Sequence, residues 1–140
     1  MNKLRSLVVL VTAALILAGC ATASMMHLHP IAVPASLSKT QVGHAVRQAL
    51  IGRGWVITGA AGNSYTAELT GHGWKATIRT PYNTQRVEVR YVSSRGLDYK
   101  NENGKESINH HWNNWMVALR HDIRANLSNE AYGSHYEKNQ

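Results

Sequence analysis

Apolar and polar residues alternate with two different periods along the chain, and the change of period divides it into elements. Val42, Ala45, Val46, Ala49 and Leu50 follow the i, i+3, i+4 spacing of one helix face. Ser38 stands at the N-cap of this segment with Gln41 three residues on, a capping box, and Leu37 and Val42 occupy the positions of a hydrophobic staple. Gly52 and Gly54 supply the stop. From Trp55 the period is two. Residues 55–58 read as a short strand and 59–63 as a small turn. Tyr65, Ala67 and Leu69 then alternate, as do Trp74, Ala76 and Ile78, and then Val87, Val89 and Tyr91. Helical spacing returns in residues 108–127, where Trp112, Trp115, Met116, Leu119, Ile123 and Leu127 form one stripe.

The connections are read from turn chemistry. Gly71-His72 fits a two-residue hairpin loop with glycine first, which sets Thr70 against Gly73, Glu68 against Lys75 and Leu69 against Trp74. Residues 93–107 are polar, with Gly96 and Asn103-Gly104 as turn signals and Leu97 and Tyr99 as packing points, and they predict a long loop. Residues 20–36, interrupted by Pro30 and Pro34, predict a tether, and residues 128–140 a frayed tail. The expected domain therefore spans residues 37–127. Its fold class is α+β, in the order helix, four antiparallel strands, helix, with two helices on one face of the sheet and the other face wet.

Ahead of this domain, Lys3 and Arg5 precede an apolar run over residues 7–18 that ends in small residues, the pattern of a secretory signal peptide over residues 1–19. The run is about a dozen residues, against the about 20 that a membrane-spanning helix needs. Leu17-Ala18-Gly19-Cys20 resembles the lipobox of bacterial lipoproteins. That resemblance implies cleavage before Cys20, a diacylglyceryl thioether on its sulfur and usually a third acyl chain on the new amino terminus, enough for stable anchoring. Ala21 stands where the inner-membrane retention signal of such proteins places Asp, so the implied location is the outer membrane, facing the periplasm.

Charge narrows the partners. The 140 residues carry 15 basic and 8 acidic side chains, and losing Lys3 and Arg5 with the leader lowers the formal +7 by two. The remaining excess suits an anionic envelope component, such as lipid headgroups or lipopolysaccharide, or a protein partner, and nucleic acid is not expected in the periplasm. On the predicted wet face lie Lys75, Arg79, Arg86 and Arg90, diluted by Glu68, Thr77 and Glu88, with Lys75 expected near Arg90. These four are the candidate ligand-binding residues. The plainer reading of them is a solvated surface that keeps the strands from pairing with other chains.

Histidine is the other unusual feature, with eight residues in the chain. Met25, Met26, His27 and His29 concentrate thioether and imidazole near Cys20, donors that favour copper, so a metal-handling lipoprotein is the alternative function. The plainer reading is a flexible linker with exposed histidines. No His-x-x-x-His spacing occurs, and His110 and His111 would project about 100° apart on a helix. Trp112, Trp115 and Met116 could line an aromatic site, but at helical spacing they are more simply core. Enzyme signals are lacking. The single cysteine is claimed by the lipid, no Gly-x-Ser-x-Gly elbow or glycine-rich phosphate loop occurs, and aspartate appears twice. The expectation is a non-enzymatic binding or structural module with no cofactor.

A second resemblance rests on Tyr91-Val92-Ser93-Ser94-Arg95-Gly96-Leu97-Asp98-Tyr99 and on Ile108-Asn109-His110-His111-Trp112-Asn113-Asn114-Trp115 with Leu119 and Ile123. This half of the chain looks like the carboxyl half of small uncharacterised Gram-negative lipoproteins, which join an amino-terminal helix to a short meander and a helix with an aromatic-Asn-x-Trp signature. Their pattern has His where this chain has Asn109. The resemblance carries no activity and no binding residue with it.

Overall fold

The computed structural model describes residues 21–137, so the leader and Cys20 lie outside the described residues. In chain order the elements are β1 (Thr22–Ser24), β2 (Ile31–Ala32), α1 (Lys39–Gly52), β3 (Val56–Ala60), β4 (Ser64–Gly71), β5 (Trp74–Pro81), β6 (Arg86–Val87), β7 (Arg90–Arg95), β8 (Lys100–Glu102), β9 (Lys105–Asn109) and α2 (His111–Glu137). The fold is α+β. Its four-stranded antiparallel sheet has the order β3-β4-β5-β7, joined by a three-stranded sheet β1-β9-β8 and a two-stranded pair β2-β6.

Helix α1 begins as its capping box dictates. The Gln41 amide donates to Ser38 Oγ at 3.3 Å, and the Ser38 amide donates to Gln41 Oε1 at 2.9 Å, satisfying two otherwise orphaned donors. Leu37 and Val42 are both buried over this first turn. The two helices pack together, and α1 also lies against β3 and β4. Val42, Val46 and Leu50 of α1 and Met116, Leu119, Ile123 and Leu127 of α2 share the core with Ala67, Ala76 and Ile78 from the inner sheet face.

Three departures from the expected layout add to this core. Residues 21–36 are not a tether: β1 pairs with β9 and β2 with β6, Met25 and Ile31 are buried, and the indole N–H of Trp112 donates to the Met26 carbonyl at 3.0 Å. The two short strands supply hydrogen-bond partners to strands that would otherwise be edges. Residues 93–107 are not a loop either. Strand β7 continues to Arg95, and β8 and β9 form a hairpin whose turn has Asn103 at φ 53 and Gly104 at φ 83, the left-handed pair of a tight turn. The frayed tail is also replaced, because α2 runs on to Glu137 and Glu130 reaches back to His44 on α1.

The β4–β5 turn is displaced by one position. Gly71 pairs with Trp74 and Thr70 with Lys75, so the loop is His72-Gly73, with Gly73 at φ 78 in second place. Leu69 therefore faces Ala76, and Glu68 faces Thr77. Moving the loop one position changes each pair sum by two, so every side chain keeps its face.

Candidate functional site

The sheet face turned away from the helices is built from alternate residues of all four strands, with β3 adding the exposed Val56 beside Glu68. Strand β4 contributes Thr66, Glu68 and Thr70, and β5 contributes Lys75, Thr77 and Arg79. Across from β5, the register places Arg95 opposite Lys75, Ser93 opposite Thr77 and Arg90 opposite Arg79. A bulge makes the last pairing. Carried on evenly from Thr77 and Ser93, the ladder would set Arg79 against Tyr91 and turn that ring outward. The shift between Thr77 and Ile78 leaves Val92 as the extra residue, sends Tyr91 inward opposite Ile78, and brings Arg90 out beside Arg79.

Of the four candidate cations, the structure thus brings Lys75, Arg79 and Arg90 onto one face of the four-stranded sheet, while Arg86 stands on another sheet and is linked to Arg90 through Glu88. Arg86 lies on β6 and pairs with Ala32 of β2 in the two-stranded sheet. The expected closeness of Lys75 to Arg90 is also corrected, since Lys75 faces Arg95. Arg95 belongs to the face but was missed, because the apolar alternation stops at Tyr91 and only the pairing with β5 reveals that the strand continues.

Acids neutralise part of this surface. Lys75 donates to Glu68 at 3.0 Å, retaining the expected ion pair although the two residues are now diagonal neighbours. Glu88 accepts from Arg90 Nη2 at 2.6 Å and from Arg86 Nε at 3.1 Å. The Arg90 hydrogen bond, supported by the charges of both arginines, holds the Glu88 carboxyl below its ordinary value. Arg79 and Arg95 are exposed and form no ion pair among the described residues. Two guanidinium groups across adjacent strands repel each other, and a planar anion between them would accept a fork of hydrogen bonds from each.

The structure places the four residues of the Met and His segment in different surroundings. Met25 is buried in the core and Met26 is half-buried against it, while His27 pairs with Glu106 and His29 is exposed. Among the described residues no group of three or more His, Cys, Asp or Glu is placed to hold a metal ion. Of the two thioethers near Cys20, that of Met25 is taken up in packing.

His27 opens instead on a cleft of about 320 Å³ that is also lined by Leu28, Pro30, Glu88, Val89, Arg90, Tyr91 and Glu106. Two carboxylates, Glu88 and Glu106, line it. Glu106 accepts from the Tyr99 hydroxyl at 2.7 Å and from His27, and these bonds lower its pKa while raising that of Tyr99. The hydrogen bonds from Arg90 to Glu88 and from Tyr99 and His27 to Glu106 lower the pKa of each acid.

Trp112 and Met116 are core, as their spacing indicates, but Trp115 is not fully absorbed. It stacks on Trp74 with centroids 4.7 Å apart and on His111 at 6.2 Å, and the three line a cleft of about 260 Å³ with Gly96, Leu97 and Asn109. A polar groove of about 430 Å³ separates the outer faces of α1 and α2, lined by Gln41, His44, Gln48, Asn126, Asn129 and Glu130. Among the described residues no helix is long and apolar enough to cross a membrane. The chain matches no protein-family model, no curated protein and no solved structure.

Proposed function

We propose that this chain is a lipid-anchored, non-enzymatic module of the cell envelope, attached through Cys20 to the outer membrane and facing the periplasm. Its open sheet face binds an anionic envelope component. The observation that carries the binding half of this reading is the placement of Arg79 directly across from Arg90, with no acid paired to Arg79 among the described residues. Arg95 and Lys75 extend the same cationic strip along β5 and β7, about 13 Å further along the strands at 3.3 Å per residue. The anchoring half is supported by the leader and by Leu17-Ala18-Gly19-Cys20.

The test of the binding reading is co-sedimentation of the unlipidated chain starting at Ala21 with lipopolysaccharide, at two salt concentrations. Arg79→Ser with Arg90→Ser removes a mutual repulsion together with the exposed Arg90–Glu88 ion pair, two small and opposing effects, so thermal stability is expected to change little. Association is expected to weaken, most at low salt, because screening already suppresses the attraction at high salt. Binding that is equal in both proteins and insensitive to salt would reject the cationic face.

A further inference from the structure

The amino-terminal end of the described chain is fastened to the fold. The Ala21 carbonyl accepts two hydrogen bonds from one residue, from the His110 amide at 3.1 Å and from His110 Nδ1 at 2.9 Å, and β1 then pairs along β9. Peptide geometry puts the Cα of Cys20 about 3.8 Å from that of Ala21. Whatever is attached to Cys20 is therefore attached to one particular end of the domain, with almost no slack.

That end has a distinct chemistry. His110 and His111 are exposed beside Ala21, and Trp115, one turn along α2, stacks on Trp74 at the start of β5. The β4–β5 turn brings exposed His72 to the same end, and Arg95 closes it from β7. Both indoles are half-buried, and among the described residues neither ring N–H has a hydrogen-bond partner, in contrast to Trp112. A partly exposed indole with an apolar body and a polar N–H suits the boundary between hydrocarbon and water, and Arg suits anionic headgroups.

We infer that this end, formed by Trp74, Trp115, His110, His111, His72 and Arg95 around Ala21, rests directly on the headgroup layer of the membrane that holds the lipid. The inference rests on the lipidation of Cys20 proposed above. It gives the domain an orientation. Strands β4 and β5 run away from the bilayer, so the Arg79 and Arg90 pair stands clear of the surface, open to the periplasm.

The experiment uses the full processed protein in vesicles of phosphatidylethanolamine and phosphatidylglycerol. A photo-crosslinking side chain replaces either His111, at the proposed contact, or Asn63, in the β3–β4 turn at the far end of β4, about 25 Å away for an eight-residue strand. Both positions are exposed, so neither substitution disturbs the core. Crosslinking to phospholipid is expected at position 111 and not at 63. Bromine-labelled acyl chains should quench the tryptophan emission of the wild type, and Trp74→Phe with Trp115→Phe should abolish that quenching. The mass of the same protein reports the acyl chains independently. A lipidated protein that crosslinks equally at both positions, or at neither, and shows no quenching would overturn the docked orientation while leaving the anchor intact. A protein without acyl chains would overturn the anchor and this inference with it.

Discussion

Replacing Ile31 by alanine tests whether the segment before α1 is part of the folded domain. Ile31 is 1 % exposed, and it pairs with Val87 on β6, which is completely buried. The substitution removes three carbon groups from a site that two short strands close from outside. Transfer of that apolar surface accounts for about 2.4 kcal/mol at about 0.8 kcal/mol per methylene. The cavity left behind adds to this, and buried Ile-to-Ala changes fall in the range of about 2–5 kcal/mol. Against a total stability of about 5–15 kcal/mol for a domain, this is a large fraction. Urea unfolding of the chain starting at Ala21, followed by tryptophan fluorescence, measures it. His29→Ala, at an exposed position of the same segment, should stay within about 0.5 kcal/mol of the wild type. Val87→Ala should combine non-additively with Ile31→Ala, because the two side chains share one site. If Ile31→Ala costs no more than His29→Ala, the segment is a tether after all and the β2–β6 pairing is wrong.

Two further outcomes follow from the ion pairs. Arg53, just past the end of α1, donates to Asp122 on α2 through Nε and Nη2, and this bonding holds the Asp122 pKa down to about 2 from the ordinary 3.8. Because the folded value is the depressed one, the stabilisation is complete above 3.8 and is lost as the pH falls through about 2. The melting-temperature gap between wild type and Asp122→Asn should therefore be constant above 3.8 and close toward about 2, and it should be small because Arg53 is 44 % exposed. A gap that does not change over this window would mean that the pair contributes nothing. Glu88→Gln should strengthen lipopolysaccharide binding in the co-sedimentation assay by releasing Arg90 from its carboxylate, whereas a loss of binding would show that Glu88 orients Arg90 for the ligand.

What could be read from the chain alone was whatever is specified within a few residues. The Ser38 and Gln41 capping box, the stripe from Trp112 to Leu127 and the alternation in β4 and β5 each depend on near neighbours, and each is found in the structure. The faces of β4 and β5 were legible even though the hairpin loop moved, since a one-position shift of a two-residue loop preserves parity. That is why Lys75 and Arg79 were correctly placed together, and Glu68 beside them.

Tertiary structure decided the rest. Strands β1 and β2 have three and two residues, too few for any period to register, and they become strands only because β9 and β6, distant in sequence, offer unpaired edges. All of β8 is exposed, so its pairing with β9 leaves no apolar trace beyond the Asn103-Gly104 turn. The candidate site shows the same division. Whether Arg90 meets Arg79 depends on one extra residue, Val92, inserted where Tyr91 must face the core. Arg95 joins them only through its pairing with Lys75, and Arg86, paired with Ala32 on another sheet, reaches them only through the carboxylate of Glu88. Local spacing tells which residues can share a face. Which strand lies beside which is settled by burying Tyr91, Ile31 and Met25 together, a condition that exists only once the chain has closed on itself.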